Sequence, residues 1–400
     1  MPCRRGRYGV SLCRDANEIL EAWPSSVRLL TLRLFNFRNF TRAEVSFSPG
    51  SNMLFGRNAQ GKTNVLEAIY ILAYGKSFRT VVARDCIQHG EKLCGVEGVV
   101  EKQSVERDLG VAISSREKKL MLHRKSVGWA EFVGNLHVAA FTSEHLGVIR
   151  GGPGERRAFL DRAMVTVCPG HIARLAAYTR ALRQRNKLLS FYQRQDRRVD
   201  DSLIEAWEEK LIVEGTQILR DRARYVEALK GRLPDKLFGD DTLTLQYISN
   251  AALEPGDGEE IEWEFRERLS EKRTADLRSG FTSVGPHRDD LKLFLNGKPL
   301  AEFGSAGEQR SSLLSLYFAQ MEAHKEVHGF YPVFMVDDVE AELDSERMKR
   351  FLGHLAQRTQ VFLTTARETR VAEIAAGVRR YEVRSGTIAP APAEGDADLD

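Results

Sequence analysis

The chain has 400 residues, which is enough for two or three domains with large cores. Its 59 Lys and Arg residues against 56 Asp and Glu residues leave a formal net charge of +3, so any surface for nucleic acid must come from a local basic cluster. It has no run of 18 apolar residues, and its five cysteines are scattered without C-x-x-C spacing. We therefore expect a cytoplasmic protein with reduced thiols, without a membrane span, disulfides or cysteine-bound zinc.

The N-terminal part predicts an α/β lobe. Residues 1–26 lack the apolar core of a signal peptide and predict a basic, poorly ordered extension. From Val27 apolar and polar residues alternate as in a β-strand, and a second strand is expected at Ala43–Phe47. A Pro49-Gly50 turn then leads to a third apolar stretch. Strand, turn, strand, loop and helix in this order predict a nucleotide-binding lobe, whose first part we place at residues 27–168.

A phosphate-binding motif follows the third strand. Residues 56–63, G-R-N-A-Q-G-K-T, fit G-x-x-x-x-G-K-[ST], and an apolar helical pattern comes after them, as a phosphate loop requires. The glycines let backbone N–H groups converge on an anion, Lys62 reaches the outer phosphates, and the Thr63 hydroxyl binds Mg²⁺. The residues expected to contact the nucleotide are Gly56, Arg57, Asn58, Ala59, Gln60, Gly61, Lys62, Thr63 and Asn64.

The rest of the first part predicts a sheet and a basic helix. Short strands from Cys94 to about Val127 predict an antiparallel sheet at the edge of the lobe. A later helix carries Arg156, Arg157 and Arg162 near its start. Two interpretations of this basic cluster stay open: a solvated surface, or a contact with DNA or phosphate.

Residues 169–275 predict a helical arm. Leucines recur seven apart from Leu175 to Leu189, although Arg185 interrupts the apolar seam, and a second heptad series runs from Ile204 to Tyr225. Two helices of about 25 residues, each roughly 37 Å long, predict an antiparallel hairpin inserted into the lobe. We expect an acidic loop at 250–260.

The lobe resumes at residues 276–386 with two further motifs. Phe334–Asp338 is an apolar strand that ends in two carboxylates, so Asp337 is expected to hold Mg²⁺ and Asp338 to orient the attacking water. Ser305 begins a helix whose N-terminus forms a second anion receptor, with a plain helix cap as the alternative. Because the lobe already has a phosphate loop, this receptor suits the nucleotide of a second molecule. Its candidate contacts are Ser305, Gly307, Glu308 and Gln309.

Two further patterns argue against other kinds of site, and a third predicts disorder at the C-terminal end. His324 and His328 lie four apart, but Lys325 stands where a zinc-protease motif needs glutamate, so we predict surface histidines. Asn186–Leu189 lacks the aspartate of a guanine-reading tetrad, which favours ATP over GTP. Residues 387–400 are rich in Ala, Pro, Gly and Asp and predict a disordered tail.

Together these segments resemble the RecF family of SMC-like, ABC-type ATPases. The matching stretches are F-G-R-N-A-Q-G-K-T-N at 55–64, E-R-R-A-F-L-D-R at 155–162, G-P-H-R-D-D-L at 285–291, S-A-G-E-Q-R at 305–310 and D-D-V-E-A-E-L-D at 337–344. The resemblance implies an α/β fold: an ABC-type P-loop ATPase head, built on a mixed sheet with an antiparallel edge, with an inserted α-helical hairpin arm.

The resemblance also implies a function. RecF-like proteins are DNA-binding mediators of recombinational repair, replication and the SOS response that act with RecR and RecO to direct RecA onto gapped DNA. ATP and Mg²⁺ would drive homodimerisation, with Ser305, Gly307 and Glu308 capping the γ-phosphate that Lys62 of a second molecule holds. A slow ATPase, with Lys62 and Asp338 as catalytic residues, would time a clamp on single-stranded/double-stranded DNA junctions.

The sequence departs from the ABC pattern in three places. Asp338 stands where most ABC ATPases have glutamate, Leu363–Thr365 lacks the switch histidine, and residues 141–144 contain no glutamine. A transporter ATPase is disfavoured because about 245 positions separate the phosphate loop from the signature, with a helical arm between them. The remaining alternative is an ATP-sensing, partner-binding module with little hydrolysis and weak DNA affinity.

Overall fold

The computed structural model describes residues 27–168, 170–195, 201–234, 241–251, 258–338, 350, 353–355, 358–366 and 377–391. The predicted extension at 1–26 and most of the predicted acidic loop at 250–260 lie outside these ranges. The predicted domain boundaries stay predictions.

The described ranges contain the following strands and helices. The strands are β1 Val27–Phe37, β2 Phe40–Ser46, β3 Ser51–Phe55, β4 Leu93–Lys102, β5 Val105–Ser114, β6 Lys118–Leu122, β7 Lys125–Val127, β8 Val138–Phe141, β9 Leu243–Ile248, β10 Asp290–Leu295, β11 Lys298–Pro299, β12 Val333–Val336, β13 Val361–Thr365, β14 Arg379–Arg384 and β15 Thr387–Pro390. The helices are α1 Lys62–Tyr74, α2 Trp129–Phe132, α3 Gly147–Arg150, α4 Pro153–Val167, α5 His171–Gln195, α6 Asp201–Lys230, α7 Gly258–Ser279, α8 Leu300–Phe303 and α9 Ala306–His328. Short 3₁₀ turns lie at Ala83–Cys86, Ser143–Leu146 and Pro286–Arg288.

An antiparallel sheet in the order β2-β1-β4-β5-β6-β7 forms one layer of the head. In β1, Leu32 and Leu34 are buried while Arg33 and Phe35 face solvent, as the alternating pattern predicts. The predicted strands between 94 and 127 are present, but they do not extend the sheet that carries the phosphate loop. They form a separate sheet because β4 pairs along the length of β1.

A mixed sheet in the order β15-β14-β3-β13-β12-β8 forms the second layer. The strands from β14 to β8 are parallel, and β15 is the antiparallel edge, so the predicted mixed sheet is confirmed. The phosphate loop leaves the carboxyl end of β3, and Asp337 follows the carboxyl end of β12. This is the edge at which open α/β sheets bind ligands.

Alternate residues of the mixed sheet supply two separate hydrophobic cores. From β12, Val333 and Met335 pack in one core with α1, whereas Phe334 and Val336 pack in the other core with α9. A strand that is buried on both faces reads as a continuous apolar run, which explains V-F-M-V. The phosphate-loop helix α1 and the signature helix α9 therefore cover opposite faces of the same sheet.

The arm contains a helix beyond the two that the sequence predicts. α5 and α6 pack along each other, and α7 packs against both. Arg185, which interrupts the predicted seam, is buried and donates hydrogen bonds of 2.8 Å to Glu208 on α6 and to Asp276 on α7. Arg185 therefore interrupts the heptad pattern of the predicted hairpin, and its ion pairs join three helices. β9 pairs with β10 in a small β11-β10-β9 sheet.

The predicted disorder from Thr387 is wrong at its start. Thr387–Pro390 forms β15, which pairs with β14 in the register Arg384↔Thr387 to Tyr381↔Pro390. Backbone hydrogen bonding decides this strand, and residues of low-complexity composition can satisfy it at a sheet edge. Residues 392–400 of the predicted tail lie outside the described ranges. Within those ranges, no helix combines the length and apolarity that crossing a membrane demands.

Candidate functional site

The phosphate loop closes around the N-terminus of α1. Gly56 and Gly61 have φ angles of 145° and 116°, and Ala59 has a φ of 64°. A Cβ atom on Gly56 would lie 2.4 Å from the carbonyl oxygen of Val383, so only glycine fits between the loop and β14. No side chain caps α1 at Gly61. Its first N–H groups therefore face the loop, as an anion site requires.

Side-chain amides fix the shape of this loop. Asn39 Nδ2 donates to the Gln60 carbonyl oxygen (2.7 Å), and Asn39 Oδ1 accepts from Asn64 Nδ2 (2.8 Å). Gln60 Oε1 accepts from the Ser385 N–H (2.8 Å). Gln60 and Asn64, two predicted nucleotide contacts, thus also support the loop. The motif gives no sign of Asn39, which lies in the β1–β2 turn.

The remaining predicted loop residues lie at its mouth. Arg57, Asn58 and Ala59 are exposed. Lys62 Nζ donates to the carbonyl oxygens of Gly56 (2.6 Å) and Arg57 (3.0 Å). These bonds hold the ammonium group at the loop, where a phosphate oxygen would be a stronger, charge-assisted acceptor.

The two predicted magnesium residues are adjacent. Thr63 Oγ1 lies 2.9 Å and 3.0 Å from the two carboxylate oxygens of Asp337. Thr364 Oγ1 on β13 also donates to Asp337 (2.6 Å). Mg²⁺ binds through few protein oxygens and keeps several waters, so a hydroxyl and a carboxylate at this separation fit the ion.

Asp338 stands at the same edge of the sheet. Its φ of 49° is in the left-handed region, and its N–H donates to Thr364 Oγ1 (2.7 Å). The Asp338 side chain is exposed. Thr364 therefore positions both carboxylate residues, and it is a site residue that the strand pattern alone does not reveal. The role of Asp338 in orienting water stays a prediction.

A buried carboxylate supports the phosphate-loop helix. Glu67 on α1 is 0% exposed and accepts two hydrogen bonds from Arg38 (2.9 Å and 2.6 Å) and one from Ser77 (2.5 Å). Arg79 adds a contact at 3.3 Å. Burial acts most strongly on the pKa of Arg38 and lowers it, but the hydrogen bond and charge of Glu67 outweigh burial and leave that pKa raised. The sequence gives no sign of this network because Glu67 lies inside an apolar helical run.

The signature helix α9 begins with a capping box. Ser305 Oγ accepts from the Glu308 N–H (3.3 Å), and the Ser305 N–H donates to Glu308 Oε2 (2.7 Å). The helix cap that the sequence left open as an alternative is therefore present. Ser305 is exposed and Gly307 is partly buried. A second molecule can thus reach this helix end.

Gln309, the fourth predicted contact of the signature, is directed inward. The side chain is 5% exposed, and its Oε1 accepts from Arg150 Nε (2.6 Å). Its Nε2 donates to the carbonyl oxygens of Gly304 (3.0 Å) and Leu300 (3.3 Å). This placement does not fit a direct nucleotide contact, because the amide already holds the signature loop to the segment that follows β8.

The predicted basic cluster on α4 is also directed inward. Arg156 pairs with Asp290 (2.5 Å and 3.0 Å), and Arg157 donates to the Asp289 carbonyl oxygen (2.7 Å). Burial lowers the pKa of Arg157, helped by the charge of nearby Arg222. Both aspartates lie more than 130 positions away from these arginines in the sequence. The sequence alone therefore does not reveal that the positive charges have partners.

Arg162 lies closer to the head core. It is partly buried, and its charge reaches the buried His145 ring. Burial, together with this charge, lowers the pKa of His145 to about 3. None of the three predicted DNA-contact arginines therefore stands as a side chain extended into solvent.

The G-P-H-R-D-D motif joins the arm to the head. The Tyr178 hydroxyl on α5 lies 2.7 Å from His287 Nδ1, and Arg222 on α6 donates to the Pro286 carbonyl oxygen (2.7 Å). Burial raises the pKa of Asp289, which accepts from the Tyr247 hydroxyl. The most specific stretch of the sequence thus has a structural role at the base of the arm.

The prediction of surface histidines at 324 and 328 is wrong. His324 is 2% exposed, and His328 is partly buried. They form a cluster with His137, whose ring nitrogen lies 2.8 Å from that of His324. The separation of 187 positions between His137 and His324 hides the cluster from any local motif.

Comparison with known proteins gives consistent matches along the chain. The RecF/RecN/SMC N terminal domain matches residues 28–389. The DNA replication and repair protein RecF of Thermosynechococcus vestitus is 38% identical over 371 residues, which cover 90% of this chain and 97% of that protein. RecF of Streptococcus gordonii is 33% identical over 365 residues, which cover 90% of this chain and 99% of that protein.

Solved structures give the same picture. The recombination mediator protein RecF with ATP, from the RecFOR pathway, superposes with a TM-score of 0.85 at 28% identity, over 92% of this chain and 98% of that one. The Smc head domain of Pyrococcus furiosus superposes with a TM-score of 0.54 at 16% identity, over 91% of this chain and 96% of that one. The second likeness shows the fold alone.

Proposed function

Because this chain belongs to the RecF family, we propose that it binds Mg·ATP and serves DNA replication and recombinational repair within a RecFOR pathway. The proposal depends on one contact: Thr63 Oγ1 lies 2.9 Å from Asp337 beside the phosphate loop. A hydroxyl and a carboxylate placed in this way would hold Mg²⁺, which would neutralise negative charge on the outer phosphates. Lys62 at the same loop would hold the γ-phosphate.

The complete nucleotide site requires two molecules in this proposal. The helices α1 and α9 cover opposite faces of one sheet, so a chain cannot fold its own Ser305 over its own phosphate loop. Two copies related by a twofold axis would each present Ser305 and Gly307 to the nucleotide on the other copy. The exposure of Ser305 at the helix N-terminus supports this arrangement.

The ATP-bound dimer acts as a clamp on DNA at junctions between single-stranded and double-stranded segments. With RecR and RecO it directs RecA onto gapped DNA, and so supports the SOS response. Hydrolysis is slow, because Asp338 would orient the attacking water with a shorter side chain than the glutamate of most ABC ATPases. The role of hydrolysis is to time release from DNA.

The test is a size measurement by light scattering on the full chain, with ATP and Mg²⁺. We expect the wild type to change from monomer to dimer, and Lys62→Ala to stay monomeric because it loses nucleotide affinity. Ser305→Arg is expected to bind ATP with an affinity within about twofold of wild type and yet to stay monomeric. A wild-type chain that remains monomeric at saturating Mg·ATP would contradict the proposal.

A second candidate function is an ATP-sensing module that binds a protein partner and has weak DNA affinity. The specific observation in its favour is that Arg156 and Arg157 bond to Asp290 and Asp289, which leaves them poorly placed for phosphates. Titration of gapped DNA with and without ATP separates the two functions. The clamp requires ATP to change DNA affinity more than about twofold, with a steep salt dependence.

A further inference from the structure

Three histidines converge at the edge of the mixed sheet opposite the phosphate loop. His137 precedes β8, while His324 and His328 lie in the last turns of α9. One ring nitrogen from each lies within 4.8 Å of the other two. His137 and His324 are buried, and His328 is partly buried on the outer side.

Each ring is oriented by a backbone carbonyl group on its outer side. His137 Nε2 lies 2.9 Å from the Gly134 carbonyl oxygen, and His324 Nδ1 lies 3.0 Å from that of Phe330. His328 Nε2 lies 2.5 Å from the carbonyl oxygen of Thr166. A carbonyl oxygen only accepts, so the outer nitrogens of His324 and His328 carry the hydrogen, whereas His137 Nε2 can instead accept from Lys102 Nζ, which lies 3.3 Å away. The inner nitrogens of His324 and His328 then carry lone pairs.

The inner contact between His137 and His324 can be occupied by a hydrogen or by a metal cation. His137 Nδ1 and His324 Nε2 lie 2.8 Å apart. When Lys102 donates to His137 Nε2, the hydrogen of His137 lies on Nδ1 and is donated to His324 Nε2. When the hydrogen of His137 lies on Nε2 and is donated to the Gly134 carbonyl oxygen, the inner nitrogens all carry lone pairs, and a metal cation can take the place of the shared hydrogen.

The residues around the cluster hold its outer side in place. Lys102 Nζ also donates to the Gly134 carbonyl oxygen (2.8 Å) and lies over the Phe330 ring. Neutral imidazoles whose outer N–H groups are fixed by carbonyl oxygens are the usual form of histidine metal ligands.

We propose that His137, His324 and His328 bind a late first-row divalent cation, Zn²⁺ by preference. Three imidazoles with an open fourth position for water suit Zn²⁺, whereas Mg²⁺ prefers oxygen ligands. Zinc–nitrogen bonds of about 2.05 Å at a tetrahedral angle need inner nitrogens roughly 3.3 Å apart. The His137–His324 contact would therefore open by about half an ångström, and inner nitrogens as far apart as 4.8 Å would move closer together.

The ion would join three segments of the head. His137 belongs to the segment before β8, the other two ligands end α9, and the Thr166 carbonyl group lies in α4. Since α9 begins at Ser305, a metal at its far end fixes the orientation of the helix that presents the signature. The site is structural, and it lies about 34 Å along the helix from the signature, at 1.5 Å per residue.

The test is metal analysis of the full chain after treatment with a chelator, loading with Zn²⁺ alone and removal of excess ion. We expect one Zn²⁺ per chain in the wild type and in His328→Cys, because thiolate also binds zinc. We expect at least tenfold weaker binding in His328→Gln and no change in His89→Gln, a matched exposed histidine. Added Zn²⁺ is expected to raise the Tm of the wild type by several degrees and that of His328→Gln by less.

A second measurement keeps the test independent of variants that fail to fold. Wild-type protein loaded with Co²⁺ is expected to show the intense visible absorption of a tetrahedral, nitrogen-ligated ion. Zinc retained equally by the wild type and His328→Gln overturns the proposal. So does a wild type whose His137, His324 and His328 imidazole NMR signals are unchanged by one equivalent of Zn²⁺.

Discussion

Glu67 is fully buried in the phosphate-loop lobe, and its carboxylate is paired with Arg38. We expect Glu67→Gln to lower the free energy of unfolding by about 3–5 kcal/mol, since the buried end of Arg38 then loses its counter-charge. Urea unfolding of both proteins measures the difference.

Glu44 is the matched control for this prediction. It pairs with Arg33 at 2.8 Å, but both side chains are about half exposed. Exposed ion pairs contribute little, so Glu44→Gln is expected to cost less than about 1 kcal/mol. Equal losses in the two variants would mean that the Glu67 network does not support the helix.

Asp338 and Asp337 are neighbours with different expected roles. Asp338→Asn keeps the backbone bond to Thr364, so ATP affinity is expected to stay within about twofold while hydrolysis falls by roughly 10²-fold. Asp337→Asn is expected to remove the Mg²⁺ dependence of ATP binding. Nucleotide titration and single-turnover hydrolysis distinguish the two. Strong loss of ATP affinity in Asp338→Asn would contradict the assignment.

The buried His145 ring is expected to make the free energy of unfolding depend on pH. Its pKa is lowered to about 3 in the folded chain by burial and the charge of Arg162, and its Nδ1 accepts the Thr142 N–H (3.1 Å). The neutral ring is therefore favoured by folding, and this stability is present above pH 6.5 and is lost as the pH falls toward 3. Between pH 7 and pH 5 the loss is about 2 kcal/mol for this group.

Urea unfolding at the two pH values measures the effect of His145. We expect His145→Gln to remove about 2 kcal/mol of the pH dependence, whereas the exposed His89→Gln leaves it unchanged. An identical slope in the wild type and His145→Gln would show that this ring is not held neutral.

Residue-level prediction is possible where chemistry is local in the chain. Gly61, Lys62 and Thr63 are predictable because a phosphate loop fits within one turn and one helix start. Asn39 and Thr364 are not, since Asn39 reaches the loop from the β1–β2 turn and Thr364 reaches the site through the pairing of β13 with β3. Their types are common in turns and strands, so composition does not mark them.

At the scale of elements, Arg222 decides how the arm meets the head. It is buried on α6 and bonds to Asp161 on α4 (2.9 Å and 3.0 Å) and to the Pro286 carbonyl oxygen (2.7 Å). We expect Arg222→Met to speed hydrogen exchange at 285–291 by at least tenfold, because Asp289 and Asp161 lose their counter-charge. Exchange monitored by mass spectrometry measures this.

Arg224 provides the control for the arm prediction. It lies on the same helix but is exposed, so Arg224→Met is expected to leave exchange at 285–291 unchanged. If both variants behave alike, the G-P-H-R-D-D motif does not depend on the arm for its order.

Elements with one apolar stripe are easier to predict than elements held by charge. The heptad series predicts α5 and α6 because their buried residues repeat along one face. Helix α7 buries three apolar side chains, Ile261, Phe265 and Leu269, among many charges, and its buried Asp276 forms an ion pair with Arg185 on α5. Arg185 and Asp276 lie 91 positions apart in the sequence, so a local sequence pattern cannot predict their ion pair.

At the scale of the whole molecule, two incomplete variants are expected to complement each other. A mixed dimer of Lys62→Ala and Ser305→Arg pairs one intact phosphate loop with one intact signature. We therefore expect the mixture to hydrolyse ATP at up to half the wild-type rate, while each variant alone is nearly inactive. A steady-state ATPase assay with varied mixing ratios measures this, and lack of recovery would argue against a site shared between molecules.

The architecture of the head was predictable and its layering was not. The phosphate loop and the carboxylate strand define a parallel sheet, because their chemistry requires both at one sheet edge. Which strands belong to which sheet depends on the pairing of β1 with β4, and hydrophobic alternation is the same in either arrangement.

The mixed sheet separates the two hydrophobic cores of the head and contributes residues to both. Met335 borders the phosphate-loop side and Phe334 borders the signature side, although the two are consecutive in the chain. A change of volume at one of them is absorbed by a different set of neighbours from a change at the other. Substitutions one position apart can therefore change the phosphate-loop side and the signature side of the head separately during evolution.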